Sequence, residues 1–263
     1  MSLQFELYTQ GSSFLYDLDP RTKIMGVGLI FLVSVLFTDP LFLGPFFFAI
    51  MAINLLGGVP FKRIMILLKS LSLLVIISLI MWPLLFHPGK EIFRLGSIYI
   101  TDLGVIYGVG MAFRILNMVI APISLMLTTP QRELILGLRG IGLPQKAAFA
   151  LAIAFRFLPT VVGVGNGIIE AQRSRGLDVN KGGVITRMKN YAAIMGPLMI
   201  SSLRIAQQLA MAVESKAMSS TAKRTTVRPL VYNPLDKYVH IGFGVLLVIV
   251  ISLRVMGFGS FNF

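Results

Sequence analysis

No cysteine occurs among the 263 residues of this sequence, and there are only two histidines and one tryptophan. Without cysteine there are no disulfides, no thiolate metal site and no cysteine nucleophile. His87 and His240 stand near the ends of different apolar stretches, far apart in sequence, and read as interfacial or packing side chains. No HExxH, CxxC or acidic cluster is present, and no Gly-x-Ser-x-Gly elbow. Nor is there a GxxxxGK[ST] loop to cradle the phosphates of a nucleotide. No residue is therefore assigned a catalytic, cofactor-binding or metal-binding role. If the chain performs work, another subunit supplies the energy. Charge is also scarce. Asp, Glu, Lys and Arg make up 13% of the residues, against about 25% in a soluble domain. Acids are the rarer sign, with 11 against 24 Lys and Arg, so the net charge is +13.

What fills the chain is apolar: 56% of residues are hydrophobic and the mean hydropathy is +0.82. This composition predicts an integral, all-α membrane protein. The positive charge lies between apolar stretches and forms no separate basic domain, so positive-inside topology accounts for it better than nucleic acid does. Met1 to Asp19 lacks a basic region followed by an apolar run, and no cleavable signal peptide is read there.

Five stretches are apolar enough to cross a bilayer: 24–37, 41–59, 64–86, about 103–127 and about 239–253. The first is short for a span of about 20 residues and must borrow flanking residues or thin the bilayer. Pro40 and Pro60 punctuate the second, and Trp82 is an interfacial anchor near the outer end of the third. Lys62 and Arg63 lie between spans two and three, whereas Thr38-Asp39-Pro40 carries no positive charge. Between spans four and five Lys and Arg far outnumber Asp and Glu. The expected topology puts that segment and the N-terminus in the cytoplasm and the C-terminus outside. Lys90 and Arg94 in the outer loop run against the rule.

The segment 128–229 is too polar for plain spans and too apolar for a free loop. Three helical pieces are predicted in it, about 130–140, 144–175 and 184–215. Thr128 or Thr129 caps the first, Pro130 suits its first position, and Gly140 to Pro144 breaks it. Gly163 and Gly167 in the second piece form a small-x-x-x-small pair, which either admits a close helix crossing or merely loosens the helix. The crossing is the expectation. Pro159 and Pro197 are expected to kink their helices.

Arg114 stands inside the fourth span with Asn117 one turn later. An intramembrane arginine is costly and faces a polar interior or a partner. A structural ion pair tying this helix to the bundle is favoured over contact with a substrate. Farther on, Ser174-Arg175-Gly176 has a mechanical logic: glycine ends a helix in the left-handed conformation and leaves the planar arginine fork exposed for a partner's carboxylates or carbonyls. The plainer reading is a cation complementing a helix dipole. Ser215-Lys216-Ala217 is a second, looser basic end.

Longer strings narrow the choice. Leu18-Asp19-Pro20-Arg21-Thr22-Lys23, Thr128-Thr129-Pro130, Gly142-Leu143-Pro144, Phe155-Arg156-Phe157-Leu158-Pro159 and Glu170-Ala171-Gln172-Arg173-Ser174-Arg175-Gly176 follow one another in this order. Together they resemble the transmembrane T component of energy-coupling factor (ECF) transporters over nearly the whole chain. The resemblance implies about five transmembrane helices plus a cytoplasmic coupling region of long crossed amphipathic helices. It implies that 1–127 holds an N-terminal cytoplasmic segment and spans one to four, 128–230 the coupling helices, and 231–263 the last span. It implies residence in a prokaryotic plasma membrane. The partners would be two ABC-type ATPase subunits, membrane lipid, and one substrate-capture membrane subunit or several exchangeable ones for a vitamin or other micronutrient, with no nucleic acid. ATP and Mg would sit in the ATPases, and this chain would be no enzyme. The two Ala-Arg-Gly-like docking motifs of the family would be Ser174, Arg175 and Gly176, and Ser215, Lys216 and Ala217. The second departs from the pattern: lysine loses the bidentate fork, and without a glycine cap the helix is expected to run on toward Ser219. The 14 methionines fit an adaptable apolar surface or ordinary core and lipid contact. A self-contained secondary transporter is the alternative, but it would call for inverted repeats, and none is visible. A membrane-embedded enzyme lacks a convergent catalytic group.

Overall fold

The computed structural model describes residues 11, 13–85, 90–95, 98–177, 181–217 and 232–257. The chain divides into two compact units, residues 1–144 with 230–263, and residues 145–229.

The first unit holds α1 (Phe14–Asp17), α2 (Pro20–Leu36), α3 (Pro40–Leu56), α4 (Phe61–Ser70), α5 (Ser72–Leu85), β1 (Glu91–Leu95), β2 (Ile98–Thr101), α6 (Asp102–Thr128) and α7 (Gln131–Ile141), and, late in the chain, α10 (Pro234–Val255). An Asp-Pro pair starts both α2 and α3. The Asp19 and Asp39 carboxylates accept from the backbone N–H of Arg21 and Leu41, and each proline takes the first helical position, where its missing N–H costs nothing. Thr101 caps α6 by accepting from Gly104 N–H. The centre of the unit is α6, packed on α2, α3 and α5. One apolar cluster joins Phe47, Ile50, Ile64, Leu68, Ile120 and Leu127; another joins Val33, Phe37, Leu43 and Val250, which brings α10 onto α2. Trp82 on α5 stacks edge-on against Tyr107 of α6.

The second unit is a pair of long helices packed on each other, α8 (Gln145–Ser174) and α9 (Val184–Ser215), and both run through their prolines, Pro159 and Pro197, without interruption.

Over their described residues all five apolar stretches are mainly helical, and the architecture is all-α. Three details depart from expectation. The third stretch is a bent pair, α4 and α5, at 49°. The strands β1 and β2 form an antiparallel hairpin closed by Lys90 N–H donating to the Asp102 carboxylate. Finally, α8 is long and apolar enough to cross a membrane, as are α6 and α10, although its segment reads as too polar for a span. The reason is distribution: the charges of α8 gather at its two ends and at Arg156, leaving long apolar runs between.

Candidate docking site

The last turns of α8 and α9 share one backbone device. At the end of α8, Gly176 takes φ +86°, its N–H donates to Arg173 O at 2.9 Å, and Leu177 N–H donates to Gln172 O at 3.0 Å. These two bonds define a Schellman turn, which satisfies carbonyls that the helix would otherwise leave open. Arg175 sits between the helix and the glycine, exposed. Ser174 donates its hydroxyl to Glu170 O of its own helix, so the residue before the arginine is tied inward.

At the end of α9, Ser215 donates to Ala212 O, and Ala217 N–H donates to Glu214 O at 2.9 Å. Ala217 has φ +51° and is the only non-glycine residue with positive φ among the described residues. The expectation that this helix runs on is therefore wrong: it ends at Ser215, and alanine occupies the left-handed position that glycine fills in α8. That conformation costs an L-residue about 1 kcal/mol. Ser219, toward which the helix was expected to extend, lies outside the described residues, as do Asp178, Lys223, Arg224 and Arg228.

Neither the Arg175 guanidinium nor the Lys216 ammonium has a partner among the described residues, and both are exposed. The two helices meet where Gly165 faces Leu198, 3.9 Å from a glycine Cβ position. At 1.5 Å per residue Arg175 is about 15 Å from that contact along α8, and Lys216 about 27 Å along α9. The six motif residues thus form two separate single-cation ends. Gly163 and Gly167 have nothing within 4 Å of their Cβ positions, so the expected close crossing does not use them. Along α9, Val184, Met188, Tyr191, Met195 and Met199 repeat at helical spacing and are all exposed, forming one apolar stripe.

The polar pair in the first unit has a different use. Arg114 Nε donates to Ser34 O at 2.6 Å, and Nη2 donates to Val35 O at 3.0 Å and Phe37 O at 2.8 Å. The guanidinium therefore closes the C-terminal end of α2, where the carbonyls lack helical donors. Its partners are carbonyls, and the expected ion pair does not occur among the described residues. Asn117, fully buried, donates to Leu43 O of α3 at 3.2 Å. At the other end of α2, Lys23 donates to Tyr16 O and to Thr128 O at the end of α6. So α2 and α6, running antiparallel, each send a cation to the last carbonyls of the other.

Sequence reading missed the glycines and the aspartate that permit this closeness. A Cβ on Gly110 would lie 2.0 Å from Thr38 O, so α6 tolerates only glycine beside that turn. A Cβ on Gly137 would come within 2.8 Å of Pro20, which lets α7 lie on the first turn of α2. Asp236, fully buried, accepts from Asn233 N–H and from Asp19 N–H, joining the start of α10 to the start of α2. The Gly137 and Gly140 spacing on an amphipathic helix was the available signal. Thr128 and Thr129 do not cap α7; Pro130 holds that position without a side-chain bond. His240 bonds the Asp236 carbonyl through Nδ1 and packs near Phe243, while His87 lies outside the described residues.

The family described as "Cobalt transport protein" (CbiQ) matches residues 11–227. The chain is similar to the energy-coupling factor transporter transmembrane protein EcfT of Thermosediminibacter oceani, 32% identical over 251 residues that cover 92% of this chain and 94% of that one. The EcfT of Clostridium kluyveri is 33% identical over 261 residues, covering 94% and 95%. That of Bacillus subtilis is 29% identical over 259 residues, covering 94% and 96%.

Proposed function

This chain belongs to the EcfT family, the transmembrane energy-coupling components of ECF transporters, and from that premise we propose that it works as a lever between two ABC-type ATPases and a substrate-capture membrane subunit. It is a multi-pass membrane protein and a transporter subunit, not a catalytic enzyme. In the proposed mechanism each ATPase receives one helix end, Ser174-Arg175-Gly176 or Ser215-Lys216-Ala217. ATP and Mg reside in the ATPases, and this chain binds no cofactor of its own. Closure of the ATPase pair displaces the two ends relative to each other. Because α8 and α9 are long and packed together, the displacement passes along them to the capture subunit, which releases its vitamin or other micronutrient. The coupling region, proposed as 128–230, lies in the cytoplasm, with the N-terminus inside and the C-terminus outside, in keeping with its excess of Lys and Arg.

One observation carries this reading: two helices of one unit each end at a residue of positive φ, and the residue just before it, Arg175 or Lys216, is an exposed cation without a partner among the described residues. A cation that only complemented a helix dipole would have no need of a strained alanine at φ +51° beside it. The methionine-bearing stripe of α9 supports contact with the capture subunit, since thioethers adapt to differing apolar partners. The test is co-purification of the whole transporter. Arg175→Glu is expected to release one ATPase and Lys216→Glu the other. Retention of both ATPases by both variants would refute the docking assignment.

A further inference from the structure

The helix α4 carries two lysines, Lys62 and Lys69, that nothing among the described residues answers. Its inner side is Ile64 and Leu68, buried in the core with Phe47, Ile120 and Leu127. On its outer side Lys62, Ile66 and Lys69 follow at i, i+4 and i+7 and so form one ridge. Both lysines are exposed, and neither ammonium has a partner among the described residues. Arg63 adds positive charge beside them, and no Asp or Glu occurs anywhere from residue 40 to residue 90. Between the two lysines Ile66 is 58% exposed. A free anion would answer the lysines but offer the isoleucine nothing apolar. A bilayer interface answers both, with phosphates for the ammonium groups and acyl chain for the isoleucine. The 49° bend at Leu71 turns α4 off the axis of α5, and a ridge that sets an exposed apolar side chain between two cations is what an interfacial helix presents.

We propose that α4 is a binding surface for anionic phospholipid headgroups, with Lys62 and Lys69 on the phosphates and Ile66 among the first acyl carbons. This surface is independent of the ATPase-docking ends.

The experiment uses the full-length protein in nanodiscs drawn from a bilayer of phosphatidylglycerol and phosphatidylcholine in equal amounts, with the retained lipids quantified by mass spectrometry after delipidating washes. Wild-type protein is expected to retain phosphatidylglycerol over phosphatidylcholine by at least about fivefold, the factor expected from one lysine at an anionic surface. Raising the NaCl concentration from about 0.05 to about 0.5 M is expected to shrink that preference, because added salt shortens the reach of the surface charges. Lys62→Gln/Lys69→Gln is expected to bring the ratio close to that of the starting bilayer, whereas Arg175→Gln leaves it at the wild-type value. A wild-type ratio near one, or a preference that survives the double substitution, overturns the proposal. If the double variant is not recovered folded, the wild-type salt series decides, and a salt-insensitive preference overturns it. Loss of co-purifying transporter subunits from the double variant at an unchanged lipid ratio would mark the ridge as a protein contact and equally overturn it.

Discussion

Two regions of this protein use the same side chains in opposite ways. In the first unit, Arg114 and Lys23 lie against carbonyls at the ends of neighbouring helices. In the second, Arg175 and Lys216 also stand at helix ends, but nothing in the described chain receives them. The backbone explains the contrast. At the end of α2 the chain turns in extended conformation through Phe37, so its last carbonyls are open to a neighbour, and Arg114 reaches them from α6. At the ends of α8 and α9 the left-handed turns satisfy carbonyls locally, and the cation between helix and turn is left facing outward. Which residue follows the helix thus decides whether a nearby cation ties the fold together or stays available to a partner.

The comparison breaks most severely at Gly110. Gly110→Val would drive a side chain into Thr38 O and separate α6 from the end of α2. The expected loss exceeds about 4 kcal/mol, read as failure to recover folded protein in detergent. Next comes Arg114→Leu, which leaves the carbonyls of Ser34, Val35 and Phe37 without their donor. A loss of about 3 kcal/mol is expected in denaturant unfolding, partly restored by Arg114→Lys, which keeps a cation but not the fork. In the second unit Arg175→Glu is expected to change the stability of the isolated chain by less than about 0.5 kcal/mol, yet to weaken ATPase co-purification by at least about tenfold, or about 1.4 kcal/mol. A large stability loss in that variant would place Arg175 with Arg114 and erase the distinction. The smallest expected effect sharpens the contrast between the two ends. Ala217→Gly relieves about 1 kcal/mol of left-handed strain, so hydrogen exchange at the residue 217 amide should slow about fivefold. Unchanged exchange would mean that the turn at Ala217 holds no strain.

Legibility in the sequence followed the range of the interactions. The bounds of α7, α8 and α9 were readable to within a residue or two, because Pro130, Pro144 and Gly176 act on the backbone next to them. The left-handed glycine at position 176 was readable for the same reason. The turn at Ala217 was not, since alanine's local preference argues for more helix and the observed φ opposes it. The small-residue argument was sound, but it was placed on Gly163 and Gly167, whereas the close approaches are at Gly110 and Gly137. Spacing alone does not say which small residue faces a neighbour.

By itself, then, the sequence determined that this protein lives in a membrane, is built of helices, and starts and stops most of them where it does, because hydropathy, proline and aspartate caps act over one or two turns. Only the tertiary structure decided which cations are held and which are left exposed. Arg114 finds its carbonyls 77 to 80 positions away, and Asp236 reaches Asp19 across 217. Such partners become neighbours only once α2, α6 and α10 have packed, so no local pattern encodes them.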